Sequence, residues 1–205
     1  MKKKISFDAW IYDPFLFIPL RRVRKIVLEC LSDYRRAKIL DLCCGTGFQL
    51  KLLARNGFSD LHCLDLSEDM LSIARKKGYP ITTYHVDAAA TGFEDRSFDV
   101  VILSFALHEK DAFTARKVLE EAHRVLKMKG RLLIVDFMFD DETRLPGRLG
   151  ITAVERIAGG EHYRNFKNYI AMGGLKNLLN PKDFTELRRC RVLTGGGIIG
   201  LYEKV

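Results

Sequence analysis

The sequence predicts an α/β fold in which helices cover a mostly parallel sheet, and three observations indicate it. Between residues 38 and 137, short apolar segments alternate with longer segments whose apolar residues recur at helical spacing. Two glycines, Gly45 and Gly47, follow the first apolar segment, where a strand would turn sharply into a helix. The chain has 205 residues, of which 47% are hydrophobic, which is enough for one domain with a buried core.

The first 36 residues precede this alternation and are predicted to form an N-terminal helical cap, 1–36. An apolar and aromatic cluster at 10–18 leads into a helix after Pro19, whose apolar residues fall on one stripe. We expect this segment to pack over a cofactor site. A helix that only covers the core is the alternative interpretation.

The next segment, 37–137, alternates strands with helices and begins with a strand at 38–43. Further strands are expected at 61–65, 81–86, 98–104 and 131–137, and helices at 47–56, 67–77 and 111–127. Ser67 suits an N-cap, and Glu68 and Asp69 place negative charge in the first turn that follows. Strand–helix alternation of this kind predicts parallel pairing with right-handed crossovers.

Residues 138–181 break the alternation, because glycines and a proline interrupt them repeatedly. This helical insert is expected to hold helices near 148–158, 163–172 and 174–179. A closing hairpin, 182–205, then has strands at 186–193 and 197–204. We predict that all four segments belong to a single domain spanning 1–205.

Charge is distributed unevenly along the chain. The net charge is +8, and residues 1–38 hold ten Lys or Arg against four Asp or Glu, so most of the surplus lies there. Such a start favours peripheral contact with an anionic membrane surface or an acidic substrate, and a solvated basic helix is the alternative. No apolar run reaches membrane-spanning length and no signal peptide is recognised, so a cytoplasmic protein is expected.

Five cysteines without a C-x-x-C pair indicate free thiols in a reducing compartment. A metal site that combines Cys43 and Cys44 with His62 or Cys63 is an alternative, but its spacing matches no known type of site. We therefore expect no metal.

Residues 38–65 form one β-loop-α-β unit that suits a nucleoside cofactor. Gly45 lacks a Cβ, so its backbone can lie against a ligand. Asp65, at the tip of the second strand, can accept hydrogen bonds from two ribose hydroxyls. A dinucleotide fingerprint would need a third glycine at position 50, which is Leu50, and this argues against an NAD-dependent dehydrogenase.

The run from Asp41 to Gly47 resembles the first motif, D-x-x-x-G-x-G, of the class I S-adenosylmethionine (SAM)-dependent methyltransferases. Segments at 65–71, 86–88 and 98–134 match further motifs of that family in order, so the resemblance covers about 37–137. It implies a Rossmann-like three-layer sandwich with a seven-stranded sheet of order 3-2-1-4-5-7-6 and an antiparallel last strand. The pattern most resembles the ubiquinone/menaquinone-biosynthesis and phospholipid methyltransferase branch.

The resemblance also implies roles for individual residues in binding SAM. Gly45 and Gly47 would lie along the methionine part, Asp65 would bind the ribose, and Leu66 and Met70 would enclose the adenine. The full implied set is Asp41, Cys43, Gly45, Gly47, Asp65, Leu66, Met70, Asp87, Ala88 and Ser104. Loop-capping aspartates and a core methionine are the alternatives for Asp41, Asp65 and Met70.

Methyl transfer from a sulfonium mainly requires alignment, and some acceptors also need a base. His108 follows the fourth strand and is the first candidate for that base or for substrate contact; a histidine that caps the next helix is the alternative. Further candidate substrate residues are Tyr12, His162, Tyr163 and Tyr169, and for the aromatic residues of the insert a stripe that faces the core at helical spacing is the alternative. The expected acceptor is a small or lipid-like molecule, of the quinone-precursor or phospholipid-amine type.

A nucleic-acid methyltransferase and a non-catalytic SAM-binding protein are the two rival functions. A nucleic-acid methyltransferase is disfavoured because the segment from Ser104 to Leu107 lacks the proline-containing turn typical of enzymes that methylate base amines. A SAM-binding regulatory protein without catalytic activity stays open, since such a fold needs few essential groups beyond the cofactor pocket.

Overall fold

A computed structural model describes residues 20–76 and 78–205 of the chain. Seven strands form one sheet in the order β3-β2-β1-β4-β5-β7-β6, which confirms the predicted order. The first five pair in parallel, whereas β7 is antiparallel to both β5 and β6. The strands are β1 (Lys38–Leu42), β2 (Asp60–Leu64), β3 (Ile81–Tyr84), β4 (Phe98–Ser104), β5 (Leu126–Phe137), β6 (Phe184–Val192) and β7 (Gly197–Lys204).

The helices lie close to their predicted positions. They are α1 (20–30), α2 (Phe48–Arg55), α3 (Glu68–Arg75), α4 (Ala112–Val125), α5 (Leu145–Ala158) and α6 (Gly160–Ala171). Ser67 caps α3 as predicted, because its hydroxyl accepts a hydrogen bond from the backbone of Met70. The last predicted helix is instead a short 3-10 turn, Gly174–Asn177.

One boundary differs because of strand pairing. The helix predicted at 111–127 ends at Val125, since Leu126 already pairs with Phe98 as the first residue of β5. A register shift between Phe98 and Val100 then separates this early pair from the regular ladder that begins at Arg131. The strand is therefore longer than its apolar segment suggests.

The core occupies both faces of the sheet, as expected for parallel strands. Leu40, Leu42 and Val101 face a cluster that contains α4, while Ile39 and Val100 face a cluster that contains α1, α2 and α3. This alternation buries most residues of the central strands β1 and β4. Because β2 and β4 flank β1 on opposite sides, a crevice opens at the carboxyl ends of β1 and β4, where open α/β sheets bind ligands.

Among the helices that the structure describes, none combines the length and apolar composition that crossing a membrane requires.

Candidate active site

A cavity of about 810 Å³ lies over the carboxyl ends of β1, β2 and β4. Its size falls within the range typical of small-molecule sites. Loops after the strands form its floor, α1 contributes Leu20, Val23 and Arg24, and Ala158 and His162 of the insert close the other side. Ten of the residues singled out from the sequence line it: Asp41, Cys43, Gly45, Asp65, Leu66, Met70, Asp87, Ala88, Ser104 and His162.

The loop after β1 presents open backbone to this cavity. Gly45 has a φ of +53°, and a Cβ added there would meet no atom within 4 Å, so the space above it is free for a ligand. Its N–H donates to Oδ2 of Asp65 at 2.8 Å, while Oδ1 of Asp65 accepts from the N–H of Ser67 at 2.8 Å. Asp65 thus ties the tips of β1 and β2 together while its carboxylate still lines the cavity.

Gly47 has a different role from the one implied for it. It does not line the cavity in the described part of the chain but precedes α2 with a φ of +67°. A Cβ there would lie 3.0 Å from the Cβ of Ala74 in α3. This glycine therefore lets two helices approach, and its contribution to the site is indirect.

Asp41 is a buried acid with an unused acceptor. It is 2% exposed, and its Oδ1 has no hydrogen-bond partner among residues 20–76 and 78–205. Burial, together with the nearby charge of Asp65, raises the pKa of Asp41 to about 8. A buried carboxyl without a hydrogen-bond partner is energetically unfavourable. A ligand that brings a cation or a hydrogen-bond donor to Asp41 would remove this cost.

Two residues of the cavity wall have strained backbone. Cys43 and Phe105, which follow β1 and β4, have φ values of 63° and 53°. Residues other than glycine rarely adopt a positive φ. Strain of this kind clusters at functional sites. Burial raises the pKa of the Cys43 thiol to about 11, so it lines the cavity as a neutral group and not as a nucleophile.

His108 is buried between two carboxylates. Its side chain is 2% exposed and absent from the described lining of the cavity. Its Nδ1 lies 2.6 Å from Oδ1 of Asp136, and its Nε2 lies 3.5 Å from Oε2 of Glu155. Burial opposes its charge, but the two carboxylates outweigh burial and raise its pKa to about 10. A raised pKa disfavours His108 as a proton acceptor at neutral pH, so the base role assigned from the sequence stays a prediction that this placement does not support.

The aromatic candidates are also largely structural. Tyr169 is 1% exposed and belongs to the main core, and Tyr163 stacks on Phe166. Neither lines the cavity within the described residues, so the substrate role predicted for them corresponds to no contact there. Tyr12 lies outside the described residues. Of the three candidates that the structure describes, His162 lines the cavity, with its Nε2 2.5 Å from Oε2 of Glu155.

Two carboxylates near the cavity were not singled out from the sequence. Asp136 lies in the apolar strand β5, and Glu155 lies among the buried residues of α5. An acid inside a hydrophobic strand is a signal that sequence reasoning could have used, since such residues are almost never buried without a partner. Glu155 left no comparable signal, because a single acid on a mixed helix is ordinary.

Comparison with known proteins agrees with the geometry. The model of a protein family described as a methyltransferase domain matches residues 39–130 of the sequence. The demethylmenaquinone methyltransferase of Thermotoga maritima is 32% identical over 171 residues, which cover 81% of this chain and 74% of that protein. The enzyme of the same name from Paenarthrobacter aurescens is 37% identical over 117 residues, which cover 57% of this chain and 45% of the length of that enzyme. The chain thus spans only about half the length of some curated relatives.

Solved structures share the fold at lower identity. The PH0226 protein from Pyrococcus horikoshii superposes with a TM-score of 0.69 at 22% identity, covering 91% of this chain and 89% of its own. Magnesium protoporphyrin IX methyltransferase from Synechocystis, solved with bound S-adenosylhomocysteine (SAH), gives a TM-score of 0.69 at 16% identity, covering 98% and 95%.

The fold and the site together define a class I SAM-dependent methyltransferase. SAM is accordingly its methyl donor. Within that class, the chain belongs to the family of the demethylmenaquinone and ubiquinone/menaquinone-biosynthesis methyltransferases. The resemblance inferred from the motifs is therefore confirmed.

Proposed function

We propose that this enzyme methylates a quinone precursor, with SAM bound across the loops after β1 and β2. The 32% identity to a demethylmenaquinone methyltransferase over most of both chains is the observation that carries this proposal. The cavity supports it, because cofactor loops line one part while apolar residues of α1 and the loop after β4 line another. A hydroxylated aromatic ring suits such a mixed wall.

The residues present fit SAM at its three recognisable parts. Asp65 would accept hydrogen bonds from the ribose, and Leu66, which is 65% exposed at the rim, would cover the adenine with Met70. Asp87 and Ala88 would meet the edge of the adenine. The unused oxygen of Asp41 would receive the methionine ammonium, either directly or through water.

The acceptor would then enter between the loop after β4 and the insert. Phe105 and Ala158 offer apolar contact there, and His162 offers a polar one. Displacement at the methyl carbon releases a neutral thioether, so these walls contribute chiefly by holding the acceptor carbon in line with the sulfonium. On α1, Arg21, Arg22 and Lys25 are exposed, which supports peripheral contact of a cytoplasmic enzyme with an anionic membrane.

A methyl-uptake assay tests the acceptor. The chain is incubated with SAM and a demethylated naphthoquinol, a phosphatidylethanolamine or RNA, and formation of SAH is measured. We expect turnover only with the quinol, and faster turnover when it is carried in anionic vesicles than in zwitterionic ones. Turnover with the phospholipid or RNA instead would contradict the proposal.

A cofactor-site variant tests whether SAM binds in this cavity. Asp65→Ala should weaken SAM affinity by about 1–3 kcal/mol, because it removes hydrogen bonds to a charged acceptor. Asp69→Ala is the control, since Asp69 is exposed and absent from the lining within the described residues. Equal affinities of the two variants would remove Asp65 from the ribose.

SAM affinity is also expected to rise with pH. Asp41 must lose its proton before it can pair with the ammonium, and its pKa is about 8, so affinity should increase by up to about tenfold per pH unit below that value. Isothermal titration of the chain and of Asp41→Asn over about pH 6 to 8 measures this. Because the ligand's own amino group titrates identically with both proteins, their difference isolates Asp41, and parallel profiles would contradict the assignment.

The same group affects stability in the opposite direction. The pKa of Asp41 is higher in the folded chain than its ordinary value near 4, so between these values the folded state holds a proton that the unfolded state has lost. Stability without ligand should therefore fall as pH rises through this window. Asp41→Asn should remove that decline in a denaturation series over the same pH range.

A further inference from the structure

Three metal-ligating side chains meet beside the acceptor end of the cavity. His108 follows β4, Glu155 lies in α5 and His162 lies in α6, and one ligand atom from each falls within 4.8 Å of the others. We propose that these three residues bind a divalent transition metal, for which zinc is the best match. This site is separate from the SAM contacts and goes beyond the proposed function.

The hydrogen bonds around His108 orient it as a ligand. Its Nδ1 is 2.6 Å from Asp136, which leaves Nε2 directed toward Glu155 at 3.5 Å, and an entering ion would displace the proton that Nε2 holds in the metal-free protein. Asp136 is itself held by the backbone N–H groups of Leu107 and Phe137 at 3.0 and 2.8 Å. A carboxylate that binds the far nitrogen of a metal-ligating histidine is the usual outer partner of such sites, because it fixes the tautomer and the ring orientation.

Burial and ligand type narrow the choice of ion. The side chains of His108 and Glu155 are 2% and 4% exposed, so the pair is removed from bulk water. Two imidazoles and one carboxylate favour zinc and related ions over magnesium or calcium, which prefer oxygen ligands. Three protein ligands with a further position left open are typical of catalytic zinc and not of structural zinc.

The coordination position of the metal that these three residues leave open would face the methyl acceptor. His162 is 21% exposed and lines the cavity, as does the neighbouring Glu109, whose carboxylate is 3.9 Å from Nδ1 of His162. Without metal, His162 hydrogen bonds to Glu155 at 2.5 Å, a contact that must open when an ion enters between them. An ion here could polarise a hydroxyl of the acceptor as a Lewis acid. Only this consequence rests on the proposed function; metal binding does not.

Metal binding to the whole chain, without acceptor, tests the proposal. The protein is stripped with a chelator and titrated with Zn²⁺ against a chromophoric competitor, and Co²⁺ then reports the ligand geometry through its visible spectrum. We expect one equivalent to bind, with the spectrum of a four-coordinate nitrogen and oxygen site. His162→Ala should lower the affinity by more than about 100-fold, since even outer partners contribute about 10–100-fold.

Matched variants distinguish this cluster from other ligands. His123→Ala removes an imidazole near the end of α4, outside the cluster, and should bind Zn²⁺ as the parent does. Glu155→Gln should weaken binding together with His162→Ala, whereas Cys44→Ser should not. Absence of binding to the parent chain, equal binding by the two histidine variants, or loss in the cysteine variant alone would each overturn the assignment. SAM affinity, measured in parallel, shows that the variants remain folded.

Discussion

Replacing His108 with alanine is expected to lower the free energy of unfolding by about 3–5 kcal/mol in the presence of a chelator, the scale for breaking a buried ion pair from one side. The side chain lies between Asp136 and Glu155, and all three are almost fully buried. Removing the imidazole leaves Asp136 without a cation in a region that water hardly reaches, and leaves Glu155 with His162 as its remaining imidazole partner. Urea denaturation at neutral pH measures the effect.

A control variant and a double variant distinguish this stabilising role of His108 from a catalytic one. His85→Ala removes a half-exposed imidazole and should change stability by about 0.5 kcal/mol or less. Adding Asp136→Asn to His108→Ala should recover part of the loss, because the two residues are coupled. A His108→Ala protein of normal stability that binds SAM but has lost turnover would contradict this interpretation and restore the role of base.

Replacing Gly45 with valine is expected to remove measurable SAM binding, a loss of more than about 100-fold. The glycine lines the cavity, and the space where a Cβ would stand is free of protein atoms within 4 Å, so a valine side chain would occupy the volume of the ligand. Its φ of +53° adds backbone strain of about 1–3 kcal/mol for such a residue. Calorimetric titration with SAM measures the affinity. The affinity of Gly45→Ala should fall between those of the parent chain and of Gly45→Val.

Gly92→Val is the matched control for strain. Gly92 also has a positive φ, of +73°, and open space at its Cβ, but it does not line the cavity in the described part of the chain. The Gly92→Val protein should lose about as much stability as Gly45→Val, while its affinity for SAM should stay that of the parent chain. If both valine variants bound SAM equally well, the loop after β1 would not be part of the cofactor site.

Much of the cofactor site could be predicted because its signals are local. A strand, a glycine-containing loop and an acid at the next strand tip occupy 38–65, and parallel pairing of β1 with β2 brings the loop and the acid together. Of the ten residues implied for SAM, nine line the cavity. Gly47 is the exception, because local sequence does not tell a glycine that faces a ligand from one that faces Ala74 of another helix.

The acceptor side could not be predicted in the same way. His108 was predicted to be a base from its position after β4, and that position is where the structure places it. Its protonation, however, depends on Asp136 and Glu155, which are 28 and 47 residues away in the chain. The proposed metal site left no signal in the sequence either, because no short spacing connects all three of His108, Glu155 and His162.

The sequence alone determined the alternation of strands and helices, because this depends on periodicity, and the family that its motifs resemble implied the strand order, the class of the cofactor and the loops expected to bind it. Only the tertiary structure decided which ionisable groups are free and which are paired. Burial and distant partners shift a pKa by several units, and neither is visible in the chain before it folds.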